Sequence, residues 1–255
     1  MMTSPRQRQS GFGLVELMIS MLIGLFLLGG MMTVFITNKQ AYRYQQSQGN
    51  QHDHERLATV LFGHVLRQTG HTPMTLAALS GKPVALPADV TFTTPGQAIS
   101  GTSADHDVTY TLKDGDVTDS FANDRVDIRY IGDSGIVDCL GRDVTNGASR
   151  TETFRLGDDD VLQCISDDGT TKETVDLIGD AHAPPNQRLK VLGLRILYGI
   201  DSDADGSVDL YKRAADVPDW TAVSSIDMEI TFQSGLRRPQ TTHFATNLPN
   251  LSEFL

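Results

Sequence analysis

Thiol and zinc chemistry have almost nothing to work with in this 255-residue chain, which holds two cysteines, Cys139 and Cys164, no CxxC and no Cys/His pattern at zinc spacing. Basic residues are in the minority: 21 Lys and Arg against 32 Asp and Glu leave a formal charge of -11. They nowhere gather into the kind of patch that displaces phosphate counterions, and Arg237 with Arg238 is too small a group, so a nucleic-acid-binding head is disfavoured. No Walker loop, nucleophile elbow or Ser/His/Asp arrangement can be assigned, and the chain reads as no enzyme, with no catalytic residue. Internal repeats and long low-complexity linkers are absent as well. What remains, 39% hydrophobic and 7% aromatic, suffices for a packed core.

One absence is local. Leu17 to Ile36 contains no Asp, Glu, Lys or Arg, and about twenty apolar residues of helix cross a bilayer core. The preceding MMTSPRQRQSG carries Arg6 and Arg8 and no acid, which puts the N-terminus in the cytoplasm and the rest of the chain outside. A cleaved secretory signal is the bland reading, but the apolar run is too long for an h-region and no A-x-A-like site follows it. Glu16 stands at the front edge of this run. A carboxylate inside a spanning helix costs about 2.5 to 3.5 kcal/mol, so it persists where a partner or a function compensates. No Lys or Arg lies within a helical turn of it. Cleavage between Gly11 and Phe12 would create an α-amino group one turn away, to be met on the same chain or on a neighbour's.

A short basic leader, Gly11, Phe12, Glu16 as the fifth residue after the cut and then an apolar helix together resemble a class III signal of the type IV pilin superfamily. The resemblance implies that prepilin peptidase cuts after Gly11 on the cytoplasmic side and methylates the amine of Phe12. It also implies that Glu16 pairs with the N-terminus of a neighbouring subunit during filament assembly. Gly13 departs from the Thr found there in many members. A chance acid at a helix start is the alternative.

After Ile36 no Pro occurs until Pro73, and helix-compatible residues continue to about Gln68. Leu57, Leu61 and Val65, with Val60 alongside, recur at helical spacing as one apolar face. Gly24, Gly29 and Gly30 weaken a helix yet let spanning helices approach closely; close packing and local unwinding in a filament are both open readings. Beyond Gly70 the sequence breaks into short alternating runs divided by Gly, Pro, Asn and Asp: DVTYTL, RVDIRYIG and SIDMEITF read as strands with one buried face, and KVLGLRILYGI as a more fully buried strand. The expected fold is α+β, one long helix whose second half packs on a mainly antiparallel β head. Residues 1–11 form the leader, 12–36 the membrane-spanning helix, 37–69 its outer half and 70–255 the head.

The segments DRVDIRYIGDSG, VDCLGRDV, ETFRL, LQCIS, VLGLRILYGIDSDADGSVDLY and VPDWTAVSSIDMEI are similar to the PilW group of minor pilins. This implies a substrate and assembly component that, with other minor pilins and the major pilin, initiates a type IV pilus serving twitching motility, adhesion or DNA uptake. Its place would be the inner membrane and then the pilus. A type II secretion pseudopilin shares every N-terminal feature, and a membrane-anchored calcium-binding adhesin that never polymerises is a reading of another class.

Cys139 and Cys164 each lie beside an expected strand, and in an oxidising compartment they close a loop worth about 3 to 4 kcal/mol; two buried thiols are the alternative. In DSDADGSVD, Asp201, Asp203, Asp205 and Asp209 occupy positions 1, 3, 5 and 9, with Gly206 at the sharp turn and the Ser207 carbonyl at 7. Lys212 at the twelfth position rules out an EF-hand's bidentate Glu, and the form resembles DxDxDGxxD calcium loops of β-hairpins. It reads as a Ca2+ site or as an acidic, solvated turn. His52, His54, His64 and His71 lack a compact ligand pair other than His52-Asp53-His54 and read as solvated helix residues.

Overall fold

The computed structural model describes residues 13–73, 86–179, 182 and 188–252. Gly11 and Phe12 lie outside the described residues, as do the side chains of His52, His54, Leu57 and Leu61. The chain divides into two compact units, 1–50 and 51–255. A helix, α1, runs over Leu14–Arg67, so the second unit takes in the last turns of α1 as well as the head expected from residue 70.

In the first unit, α1 begins on Gly13, whose carbonyl accepts from the amides of Glu16 (3.0 Å) and Leu17 (3.2 Å). Its large apolar side chains from Leu14 to Ile36 are exposed. Ser20, Thr33 and Thr37 donate their hydroxyls to the carbonyls of Leu17, Gly29 and Thr33 one turn back, which leaves these polar groups partnered without water.

The second unit is antiparallel throughout its named strands. Strands β1 (Ile99–Thr102), β4 (Arg125–Ile131), β5 (Ser149–Leu156), β6 (Leu162–Asp167) and β7 (Lys172–Ile178) form one sheet in the order β1-β4-β5-β6-β7. Strands β8 (Leu189–Ile200), β9 (Leu210–Lys212), β10 (Val223–Ser234) and β11 (Gln240–Asn247) form a second, β11-β10-β8-β9. A hairpin of β2 (Asp105–Leu112) and β3 (Gly115–Ala122) forms a separate two-stranded sheet, and a short helix α2 (Pro249–Ser252) follows β11.

One core joins α1 to both sheets. Phe62, Val65 and Leu66 are buried with Val126, Ile128, Tyr130 and Phe154 of the first sheet and Leu194, Ile196, Tyr198, Ile226 and Met228 of the second. The Phe62 ring lies 5.0 Å from that of Phe154 and 6.3 Å from that of Phe244. The i, i+3, i+4 stripe that packs is thus Phe62, Val65 and Leu66, while Val60, expected on the same face, is exposed. The helix stops where Gly70 takes φ of +77°, a left-handed turn natural to glycine, and the Gly70 amide donates to the Arg129 carbonyl of β4 at 2.9 Å.

The strands expected from alternation are present, but β4 is buried on both faces. Its polar residues are satisfied by specific partners: Arg129 donates to the carbonyls of Gln97 (2.7 Å) and Leu86 (3.4 Å) and lies over the Phe92 ring, and Asp127 accepts from Arg125 and Thr153. Asp124 joins three elements by accepting from the amides of Ala104 (3.1 Å) and Ile196 (2.9 Å) and from Arg213 (2.6 Å). Gly101 of β1 has no room for a Cβ, which would strike the Tyr198 hydroxyl.

Candidate functional site

At the N-terminal end, Glu16 sits in the first turn of α1. A carboxylate there is favoured by the positive end of the helix dipole. Among the described residues one helix segment, Leu14–Tyr42, is long and apolar enough to cross a membrane. A Cβ added to Gly24, Gly29 or Gly30 would meet nothing within 4 Å. Open space thus lies beside these glycines, where the absence of a side chain lets a neighbouring helix approach closely.

In the head, Cys139 and Cys164 form a disulfide with Cα atoms 6.4 Å apart. Cys164 is the middle of β6, and Cys139 sits in the irregular segment 132–148 between β4 and β5. That segment is tied to the end of α1. The Gln68 side-chain amide donates to the Val137 carbonyl at 2.9 Å, and its oxygen accepts from the Val137 amide at 2.9 Å. Tyr130 also donates its hydroxyl toward the Val137 carbonyl at 3.2 Å.

Beneath the disulfide lies Glu152 of β5, wholly buried. Its Oε1 accepts from the Tyr130 hydroxyl (2.9 Å) and the Ser166 hydroxyl (3.1 Å). Its Oε2 lies 2.9 Å from Cys139 Sγ and 3.4 Å from Cys164 Sγ. Disulfide sulfurs carry no proton, so a hydrogen bond here needs the carboxyl as donor and sulfur as the weak acceptor. Burial supports that protonated form: it pushes the Glu152 carboxyl up to about 7, helped by Asp138 and opposed by the Tyr130 and Ser166 hydrogen bonds. Burial likewise raises the Tyr130 hydroxyl, with Glu152 adding to the effect. Although Cys139, Glu152 and Cys164 cluster closely enough to hold a metal ion, the sulfurs are bonded to each other and are not thiolate ligands in this state.

The acidic loop joins β8 to β9, whose pairing sets Ile200 opposite Leu210. It brings carboxylate oxygens of Asp201, Asp203 and Asp209 within 4.8 Å of one another. Asp205 is not in that group; its Oδ1 accepts from the Ser207 amide at 2.7 Å. Asp201 is buried and accepts from the Gly206 amide (2.9 Å) and the Asp205 amide (3.2 Å). Asp209 accepts from the Ser202 hydroxyl and from its amide at 2.8 Å, which hold its carboxyl below the ordinary range. Three converging carboxylates are hard oxygen donors of the kind calcium takes, so the residues fit the ion, with Asp205 needing to turn inward to join them. The same backbone hydrogen bonds also make a self-sufficient acidic turn.

Of the histidines, His64 is exposed and His71 lies 3.8 Å from an Asp133 carboxylate oxygen; among the described residues neither joins a group of three or more metal-ligating side chains. Glu152 and Asp124 escaped sequence reading. Each is an acid within or beside a strand, and only cross-strand register shows what it meets. The one available signal was Glu152 in ETFRL, where alternation places it on the face of Phe154.

Residues 6–32, which take in the basic N-terminal segment and the start of the apolar helix, match the prokaryotic N-terminal methylation motif. Among solved structures the chain is similar to a type IV-like pilin from Thermus thermophilus, at 11% identity and a TM-score of 0.43 over 78% of this chain and 97% of that one. No curated protein matches the sequence.

Proposed function

We propose that the protein is a PilW-like minor pilin, cut by prepilin peptidase between Gly11 and Phe12, methylated on Phe12, and joined through its helix to other minor pilins and the major pilin to initiate a type IV pilus. The observation that carries this reading is the methylation motif at 6–32, which runs into an exposed apolar helix with Glu16 in its first turn. Before assembly the chain spans the inner membrane once, N-terminus in the cytoplasm. Glu16 answers the amine of Phe12 on a neighbouring subunit, which offsets the cost of holding a carboxylate at the membrane. Twitching, adhesion and DNA uptake are the activities such a pilus serves.

The head carries a second proposal: Asp201, Asp203 and Asp209, with Asp205 and the Ser207 carbonyl, bind one Ca2+. The three converging carboxylates support it. Ca2+ would supply charge neutralisation that stiffens the β8–β9 hairpin, and no chemical step depends on it.

Intact-mass analysis of the protein from sheared pili tests the pilin assignment. The expected species begins at Phe12, carries one added methyl and retains the disulfide. A protein found only in membranes with residues 1–11 attached would instead be an anchored, non-polymerising head, and recovery with secretion pseudopili alone would make it a pseudopilin.

A further inference from the structure

We propose that Glu152 is the proton acceptor that closes the Cys139–Cys164 disulfide, taking the proton of the attacking thiol and passing it to the thiolate that leaves. The inference concerns the head alone and stands whether or not the chain polymerises.

The sheet builds half of this site without the disulfide. Strand pairing sets Phe154 opposite Cys164 and Glu152 opposite Ser166, so Glu152 and Cys164 are diagonal neighbours on one face of β5 and β6. Oε2 of the acid lies 3.4 Å from the Cys164 sulfur, so in the reduced chain the Cys164 thiol stands beside a general base. The opposite oxygen is held by Tyr130 of β4 and Ser166 of β6, which fixes the direction in which Oε2 points. Cys139 arrives separately on segment 132–148, and the paired hydrogen bonds between Gln68 and Val137 seat that segment. The sheet thus preassembles Cys164 and its base, and the segment seated against Gln68 delivers the other sulfur.

A purely structural role does not need an ionisable group here, because a glutamine accepts from Tyr130 and Ser166 equally well and donates toward sulfur. What an acid adds is the ability to exchange a proton beside two sulfurs. The charged and titratable groups around it are Tyr130 on β4, Asp138 on the disulfide segment and Arg150 on β5, which acts on Tyr130. Burial and Asp138 favour the proton-bound acid, which makes the carboxylate a strong enough base to accept from a thiol near neutral pH.

The chemistry balances with a disulfide-bearing oxidant, RSSR, of the class found outside the cytoplasm. Cys139, on the incoming segment, first attacks RSSR and forms a mixed disulfide, releasing RSH. Cys164 then gives its S–H proton to Glu152 Oε2, and its sulfur attacks the Cys139 sulfur. The Cys139–Cys164 bond forms as the bond to SR breaks. The leaving RS− carries off the electron pair and takes the proton from Glu152 as RSH. Two protein thiols are oxidised and one RSSR is reduced to two RSH, with the carboxylate regenerated.

The test uses the full-length chain in detergent, reduced, freed of reductant and mixed with oxidised glutathione, with acid-quenched samples read by mass spectrometry across pH 5 to 8. For the wild type, closure is expected to accelerate through about pH 7 as Glu152 loses its proton. Glu152→Gln is expected to close roughly a hundredfold more slowly, to accumulate the glutathione adduct on Cys139, and to lose the inflection. Glu152→Asp, which restores a carboxyl, is expected to recover the inflection, and in concentrated urea all three chains are expected to close alike. Equal rates and equal pH profiles for the wild type and Glu152→Gln in buffer would overturn the proposal. So would a wild-type rate in buffer no faster than in urea, because no assembled base would then be acting.

Discussion

At the scale of single residues, Glu152 is the least expected feature of the head, and its environment sets a measurable pH dependence. The unfolded chain releases this proton near the ordinary value of 4.5, whereas the folded chain holds it to about 7. Between those values the folded state binds more protons, so stability falls as pH rises. The stabilisation is complete below the lower value and lost as pH passes the upper one, a change of about 3 kcal/mol. Urea unfolding of the oxidised wild type from pH 4 to 8 should show that decline, and Glu152→Gln should flatten it while matching the wild type at pH 4. A wild-type stability unchanged over this range would mean that the carboxylate is charged and satisfied in the fold. Asp209 has the opposite sense: its carboxyl is held low, by the Ser202 hydroxyl first, so its contribution is lost as pH falls.

At the scale of elements, α1 works by different physics in its two stretches. Near its start, exposed apolar side chains, back-bonded hydroxyls and one acid suit a lipid or helical neighbour. Glu16→Ala is expected to insert in the membrane at least as well as the wild type but to be lost from sheared pili, as shown by comparing membrane and pilus fractions on immunoblots. Equal recovery in pili would remove the assigned role. Near its end, α1 becomes part of the head core. Phe62→Ala removes a fully buried ring between Phe154 and Phe244 and should cost about 3 to 5 kcal/mol, read as a lower urea midpoint. The β8–β9 turn is a third element with its own test. Millimolar Ca2+ should raise the melting temperature of the wild type and leave that of Asp201→Asn/Asp203→Asn unmoved, as binding to the native state alone requires. Absence of any wild-type shift would leave the loop as an acidic turn.

At the scale of the whole molecule, the disulfide, the end of α1 and the first sheet form one connected assembly through Val137, Gln68, Tyr130 and Glu152. Cys164→Ser should therefore lower stability by about 3 to 4 kcal/mol through the lost cross-link. It should also speed amide hydrogen exchange in 132–148 and at Gly70, the turn that ends the helix. Exchange accelerated equally over the entire head would show a general loss of stability without this local coupling.

The N-terminal signal, the apolar helix, the helix end near Gln68 and the main strands were legible in the sequence because each rests on local chemistry. Charge exclusion from Leu17 to Ile36 needs no tertiary partner to be read, and alternation in SIDMEITF follows from the pleat alone. The β8–β9 hairpin was legible for the same reason, since Asp and Gly define its turn. Tertiary structure decided the rest. Only packing chose Phe62 and Leu66 over Val60 as the buried stripe, because several registers of one helix satisfy the same period. Only long-range pairing buried both faces of β4 and so required partners for Arg129 and Asp127. Glu152 reads in isolation as an ordinary polar residue of a half-exposed strand. Its contact with two cysteines arises when β5, β6 and segment 132–148 meet, and burial there, which no local pattern encodes, makes its proton hard to remove.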